Sequence, residues 1–234
     1  MRRGSLAKRV RRYAGRARKA ATMPYLMVGQ SLGLTVQPRM ALLCAAPTVP
    51  QVIANYTRGL MLFGRSRARV ARFEWRSYPF RGVIVPVSAK VPKTIRAMQR
   101  RTDLEIRFDE DFEEIVQSCQ VERNDWKWLT PALVDVYREV YKQGFISTVG
   151  VYREGELVGG LWGISVGRVL GIMSMFHRAD NAGSLALAAV MDIVAGGGRW
   201  SVVDCGVINQ HFKMYGAREI PEQEFCELVW QTLK

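Results

Sequence analysis

The sequence predicts an α+β fold: a mixed, mostly antiparallel sheet flanked by helices and preceded by a small, strongly basic N-terminal region. Three observations predict it. From Leu104 onward, period-two and period-3.6 apolar patterns follow in the order strand, two helices, three strands, helix, strand, helix, strand. The stretch Leu157–Asn181, LVGGLWGISVGRVLGIMSMFHRADN, combines two apolar runs, a cluster of glycines and a short polar exit, the composition of a buried strand pair whose end walls a pocket. The charge is one-sided: of a net +13, residues 1–73 carry fifteen Lys or Arg and no acid, whereas the remainder holds nineteen basic against twenty-one acidic residues.

Taken in order, residues 1–22 form a basic tail. Arg2, Arg3, Lys8, Arg9, Arg11, Arg12, Arg16, Arg18 and Lys19 lie among alanines, which allow a helix that is cationic all round and has no apolar face to dock. The same Arg-rich, acid-free composition is also that of a transit peptide. Residues 23–101 read as a small N-terminal domain. Pro and Gly punctuation marks irregular structure from Pro24 to Pro50; residues 51–63 have a helix period with Gly59 as a stop; Arg65, Arg67, Arg69 and Arg72 extend the basic face. Aromatics then alternate with small and polar residues from Phe73 before an apolar strand from Val83, and Pro92 begins a short helix to Arg101.

Residues 102–234 form the main domain. Leu104–Phe108 is a short strand, and Asp109–Gln120 a helix with acids in its first turn, where the helix dipole favours them. Thr130 followed by Pro131 is an N-cap with proline at N1, opening an amphipathic helix through Gln143 that Gly144 ends. Ser147–Tyr152 and Leu157–Ser165 are strands joined by the tight turn Arg153-Glu154-Gly155-Glu156, and Arg168–Phe176 is a third. Asn181 caps a helix from Ala182 to Ala195, closed by three glycines. Trp200–Asp204 is a buried strand, Asn209–Tyr215 a short helix, and Gln223–Leu233 a last strand.

The 48% hydrophobic and 24% charged composition over 234 residues is that of a globular protein with one sizeable core. The basic third calls for a polyanion, nucleic acid first and an anionic membrane surface second. Cys44, Cys119, Cys205 and Cys226 are far apart without a CxxC pair, and with His177 and His211 they make no metal-ligand pattern. They read as reduced, cytoplasmic thiols; no metal and no cofactor are expected. The apolar run Tyr25–Ala46 is broken by Gln30, Gln37, Pro38 and Arg39 and makes a poor membrane span.

The element order from Leu104 resembles the GCN5-related acetyltransferase architecture, whose sheet splays at its middle to admit a ligand. The turn Arg178-Ala179-Asp180-Asn181-Ala182-Gly183 departs from the glycine-rich cradle that such enzymes offer to coenzyme A, so CoA-dependent acetyl transfer is the least supported use of the fold. A more specific resemblance follows from successive blocks in the right order: YTRGLMLF (56–63), Trp75, Ser77 and Arg81 as W-x-S-x-x-x-R, KWLTPALVDVYREVYKQG (127–144), ELVGGLWG (156–163), SMFHRADNA (174–182), VVDC (202–205) and NQHFKMYGAREIP (209–221). Together they resemble the leucyl/phenylalanyl-tRNA-protein transferase family over about residues 52–225.

That resemblance implies transfer of Leu or Phe from an aminoacyl-tRNA to an acceptor amine on a peptide, protein or small molecule, without a membrane or cofactor. It implies a basic tRNA grip, to which Arg9, Arg12, Arg16, Arg65, Arg67, Arg69 and Arg81 are assigned, and an apolar aminoacyl pocket of Trp128, Trp162, Met173, Met175 and Phe176. Asp204 matches the family's acidic residue and is the candidate catalytic group, its other reading being a cap for the helix near Asn209. Ser174, Asn181 and Asn209 are the candidate polar contacts to substrate, and His211 reads as structural. The sequence departs from the family at three polar positions, with Gly150 and Met173 in place of Glu and Gly206 in place of Gln. The departures keep a second reading open, a family member that binds tRNA, RNA or a peptide without the original reaction.

Overall fold

In the computed structural model, residues 40–65, 72–101, 103–123 and 125–233 are described. The expected basic helix in residues 1–22, with Arg9, Arg12 and Arg16, lies outside them, as do Arg67 and Arg69.

The described chain begins with β1 (Met40–Cys44) and α1 (Val49–Tyr56). The helix period read at residues 51–63 ends early: Gly59, at φ +82°, turns the chain into β2 (Met61–Arg65). β3 (Arg72–Ser77) lies between β1 and β2 in a three-stranded antiparallel sheet. β4 (Phe80–Ile84) leaves that sheet, and after α2 (Lys93–Met98) come β5 (Glu105–Phe108) and α3 (Phe112–Glu122). A single 3-10 turn, Asp125–Lys127, leads to α4 (Pro131–Lys142), where the Thr130 hydroxyl accepts from the Leu133 amide.

Next come β6 (Ile146–Arg153), β7 (Glu156–Val166) and β8 (Val169–His177). Glu154 and Gly155, both at positive φ, give the β6–β7 hairpin the twist its strands need. α5 (Ala182–Ala195), β9 (Val202–Asp204), α6 (Gln210–Met214), β10 (Arg218–Pro221) and α7 (Glu222–Thr232) complete the chain. The last element is a helix and not the strand expected at 223–233. Phe225, Val229 and Leu233 recur every four residues and are buried, Glu222 and Glu224 occupy the first turn, and the strand is the preceding Arg218–Pro221.

The large sheet has the order β10-β4-β9-β8-β7-β6-β5, antiparallel throughout except for the parallel pair β8–β9. β4 comes from the segment read as residues 23–101 but lies inside this sheet, so a boundary at residue 101 does not separate the two sheets. One face packs on α1, α3, α4 and α7 through Tyr56, Ile115, Leu133, Tyr137, Trp162, Phe225 and Val229. The other packs on α2, α5 and α6 through Ile95, Leu187, Val190, Val203 and Phe212. Among the described residues no helix is long and apolar enough to cross a membrane.

The parallel pairing is short, joining only Val169, Leu170 and Gly171 to Val202, Val203 and Asp204. Beyond Gly171, β8 runs on from Ile172 to His177 against β7 alone. The other chain instead follows β4, with Cys205 N–H donating to Gly82 O (2.8 Å) and Gly82 N–H to Gly206 O (2.7 Å). The sheet therefore opens into a wedge between Ile172–His177 and Cys205–Asn209, with Gly171 and Asp204 facing each other at its apex. Gly171 has no room for a side chain, since a Cβ would lie 2.7 Å from Tyr56 Cζ. Gly171→Ala is expected to cost about 1–3 kcal/mol by forcing the tyrosine aside, read as a lowered denaturant midpoint.

Candidate functional site

At the apex, β4, β9 and α1 bring together Arg81, Asp204 and Tyr56, all at 1% exposure or less. Arg81 Nε donates to Asp204 Oδ1 (3.1 Å), its Nη2 pairs with Oδ2, and its Nη1 donates to Gly59 O (2.9 Å). Tyr56 Oη donates to Asp204 Oδ2 (2.9 Å), and the Gly206 amide to Oδ1 (2.9 Å). The Phe225 ring covers the guanidinium, 4.4 Å from centroid to Cζ. Burial pushes the Tyr56 phenol well above its ordinary pKa, and the Asp204 carboxylate adds to this, so the phenol stays a donor. Burial alone lowers the Arg81 pKa, but the adjoining carboxylate outweighs it and the net shift is upward.

Both Asp204 oxygens thus hold two donors each. Its carboxylate is not the cap of α6, a place taken by Asn209, whose Oδ1 accepts from the Phe212 amide (3.0 Å). Arg81 is corrected as a tRNA contact: a guanidinium with no exposed surface, bound to Asp204 and Gly59, cannot reach a phosphate. Arg65 is half exposed and paired with Glu74 (3.0 Å).

Farther along the wedge, the β7–β8 register slips between Trp162 and Gly163, so that Ser174 faces Trp162 while Ile172 faces Gly163. Met173 is the extra residue of a β-bulge, and the alternation changes phase there. Met173 packs toward the α3 and α4 face, Met175 toward α5, and Phe176 again toward α3 and α4. The expected pocket set is therefore divided. Trp162 and Phe176, at 0% and 1% exposure, belong to the core; Met175 is on the opposite face from Met173. Trp128, half-buried, stacks on Trp162 (centroids 6.5 Å, 15°) and meets Phe63 edge-on (5.7 Å).

The bulge aims Ser174 at α3 and the turn after it. Ser174 Oγ donates to Asp125 Oδ2 (2.6 Å), and Arg123 Nε lies 3.8 Å from the same oxygen. Cys119 is near this pair, and burial pushes its thiol up to about 12. His211 has its pKa lowered by burial first, then by Arg123 and His177, and its Nε2 is buried without a hydrogen-bond partner among the described residues. Arg123, Asp125, Ser174, His177 and His211 thus form a polar group along the open wedge. Asp125 and Arg123 gave no sequence signal, because they lie in a turn between helices where no periodicity operates. Asn181 is exposed at φ +62° and its side chain makes no capping bond, so α5 starts from a left-handed turn in place of a side-chain cap.

The three positions expected to depart from the family each have a distinct local setting. A Cβ at Gly150 would sit 2.6 Å from the Tyr152 ring, which fills that place. Gly206 is at φ +65° and uses its amide on Asp204. Met173 is the bulge. Among the described residues no group of His, Cys, Asp and Glu could hold a metal.

Breaking the apex pair from one side leaves an uncompensated buried charge. Arg81→Met is expected to lose about 3–5 kcal/mol of unfolding free energy, and Arg81→Met with Asp204→Leu less than that, measured by urea denaturation.

A family model described as leucyl/phenylalanyl-tRNA protein transferase matches residues 83–230, from β4 to α7. A leucyl/phenylalanyl-tRNA--protein transferase of Azotobacter vinelandii is 33% identical over 163 residues, 68% of this chain and 71% of that protein. One from Pseudomonas fluorescens is 34% identical over 161 residues, 68% of this chain and 71% of its own. Among solved structures, a GCN5-related N-acetyltransferase from Kribbella flavida is 14% identical, with a TM-score of 0.38 over 62% of this chain and 54% of its own. With the match running from β4, the strand of Arg81, through Asp204 to α7, whose Phe225 covers the guanidinium, this chain belongs to the leucyl/phenylalanyl-tRNA-protein transferase family.

Proposed function

We propose that this chain is a tRNA-dependent aminoacyltransferase of the cytoplasm, moving Leu or Phe from aminoacyl-tRNA to an acceptor amine such as a protein N-terminus. Family membership carries this reading. The wedge supports it, since it opens beside a strand whose outward backbone groups pair with no other strand among the described residues from Ile172 to His177.

In such a transfer the neutral amine nitrogen attacks the ester carbonyl and a C–N bond forms. The C–O bond to the ribose breaks, and the ribose oxygen leaves with the proton that the nitrogen gives up. Aminolysis of an ester runs downhill, so the protein's task is to align the two reactants and assist proton movement. Backbone N–H groups of the open half of β8 can hold the carbonyl oxygen as charge develops on it. Met173 and Trp128 are the remaining candidates to meet the aminoacyl side chain. Asp204 acts as a positioning residue: it fixes Arg81, Tyr56 and the turn at Gly206, which together set the wedge's opening. The basic residues of 1–73, the exposed Arg65 among them, grip the tRNA backbone.

Tyr152 filling the place beside Gly150 favours a second reading, a protein that holds charged tRNA without transferring its amino acid.

The test is transfer of labelled Leu or Phe from charged tRNA to a peptide beginning with Arg. Product is expected, and tRNA affinity is expected to fall at least about tenfold between about 50 and 200 mM salt as counterions compete. Salt-sensitive tRNA binding with no product on any amine would replace the enzyme reading with the second.

A further inference from the structure

On the reading of the site as an aminoacyl-transfer centre, the reaction brings two primary amines together, the acceptor's and that of the amino acid on tRNA. In water each is chiefly an ammonium cation, and a cleft holds such a group best where a partner rich in hydrogen-bond acceptors meets it. Asp204 cannot be that partner. Both of its oxygens are filled by Arg81, Tyr56 and Gly206, and it is at 1% exposure. Position 173, where the family pattern has a carboxylate, is a methionine packed on the core.

A carboxylate from a different element lies beside the open half of β8. The turn Asp125–Lys127 between α3 and α4 lays Asp125 against the bulged half of β8, its side chain 14% exposed. Its Oδ2 is taken, by the Ser174 hydroxyl at 2.6 Å and with Arg123 Nε 3.8 Å away. Its Oδ1 has no hydrogen-bond partner among the described residues. The bulge is what makes this arrangement: without the slip at Met173, Ser174 would point to the α5 face, and Asp125 would lose the hydroxyl that orients it. Ser174 is three residues past the apex, roughly 10 Å along the strand, well clear of the sealed Arg81–Asp204 pair.

We infer that Asp125, oriented by Ser174, receives a substrate's primary ammonium group in the wedge, and so supplies from the α3–α4 turn the carboxylate that position 173 lacks. Asp125 is then a substrate-binding residue and Ser174 a positioning residue. Arg123, beside the oxygen that is already occupied, leaves the free oxygen to the ligand.

The experiment uses the full chain with Asp125→Asn, Ser174→Ala, and Asp125→Asn combined with Met173→Glu, each checked for an unchanged thermal unfolding midpoint. Two readouts run in parallel: steady-state transfer from charged tRNA to an Arg-starting peptide, and direct binding of that peptide and of a non-hydrolysable leucyl-adenosine analogue. Asp125→Asn is expected to weaken one of the two amine ligands at least about tenfold. A raised KM and Kd for the peptide assigns the acceptor's amine, and a weakened analogue assigns the donor's. Ser174→Ala should weaken the same ligand less, and the double variant should regain part of the loss by returning a carboxylate to the strand. If the wild-type chain transfers and Asp125→Asn changes neither ligand, the inference is overturned while the proposed function stands. If the wild type transfers nothing but binds an amine ligand through Asp125, the proposed function falls and the inference stands. If it binds neither, both fall.

Discussion

The architecture depends on one buried ion pair. Arg81 and Asp204 come from neighbouring antiparallel strands, and Tyr56 reaches them from α1 across Gly171. Two charges removed from water are tolerable only where further hydrogen bonds support the pair, and here Tyr56 and Gly206 donate to Asp204 while Gly59 O accepts from Arg81. The cluster sits where the parallel pairing of β8 and β9 ends. It welds β9 to β4 and to α1, leaving β8 to continue with β7 only. The opening of the sheet and the sealing of its apex are two sides of the same set of contacts.

The bulge at Met173 acts on the other half of the wedge. A strand with strict alternation would send Ser174 to α5 and make one continuous face of Met173, Met175 and His177. Inserting one residue reverses that beyond the slip: the core side gains Phe176, and the hydroxyl of Ser174 turns to Asp125. The polar equipment of the cleft therefore arises from backbone register as much as from which residues the strand carries.

Much of the fold was legible because its signals are local. Thr130-Pro131 announces α4, the Glu154-Gly155 turn fixes the register of β6 and β7, and Ala182–Ala195 is a helix with the bounds its composition implies. The block resemblance identified the family that the sequence matches then support. What was hidden is non-local. Arg81 reads as one more cation of a basic region until its partner, 123 residues away, is seen beside it. Asp125 lies 49 residues from Ser174 in a turn without periodicity. The C-terminal helix reads as a strand where Phe225, Val229 and Trp230 favour one, although the buried Phe225, Val229 and Leu233 have the spacing of four that is helical. The division of Met173 from Met175 depends on a register slip that no strand pattern records.

The open half of β8 offers the cleft amides and carbonyls that belong to the main chain. Short of proline, which removes an N–H, point substitution cannot delete them, so part of the cleft's capacity to hold a substrate is insulated from sequence drift. A chain carrying such a strand can exchange the side chains around it and still present a polar rail to whatever enters. Divergence then falls on which ligand is chosen more than on whether one can be held.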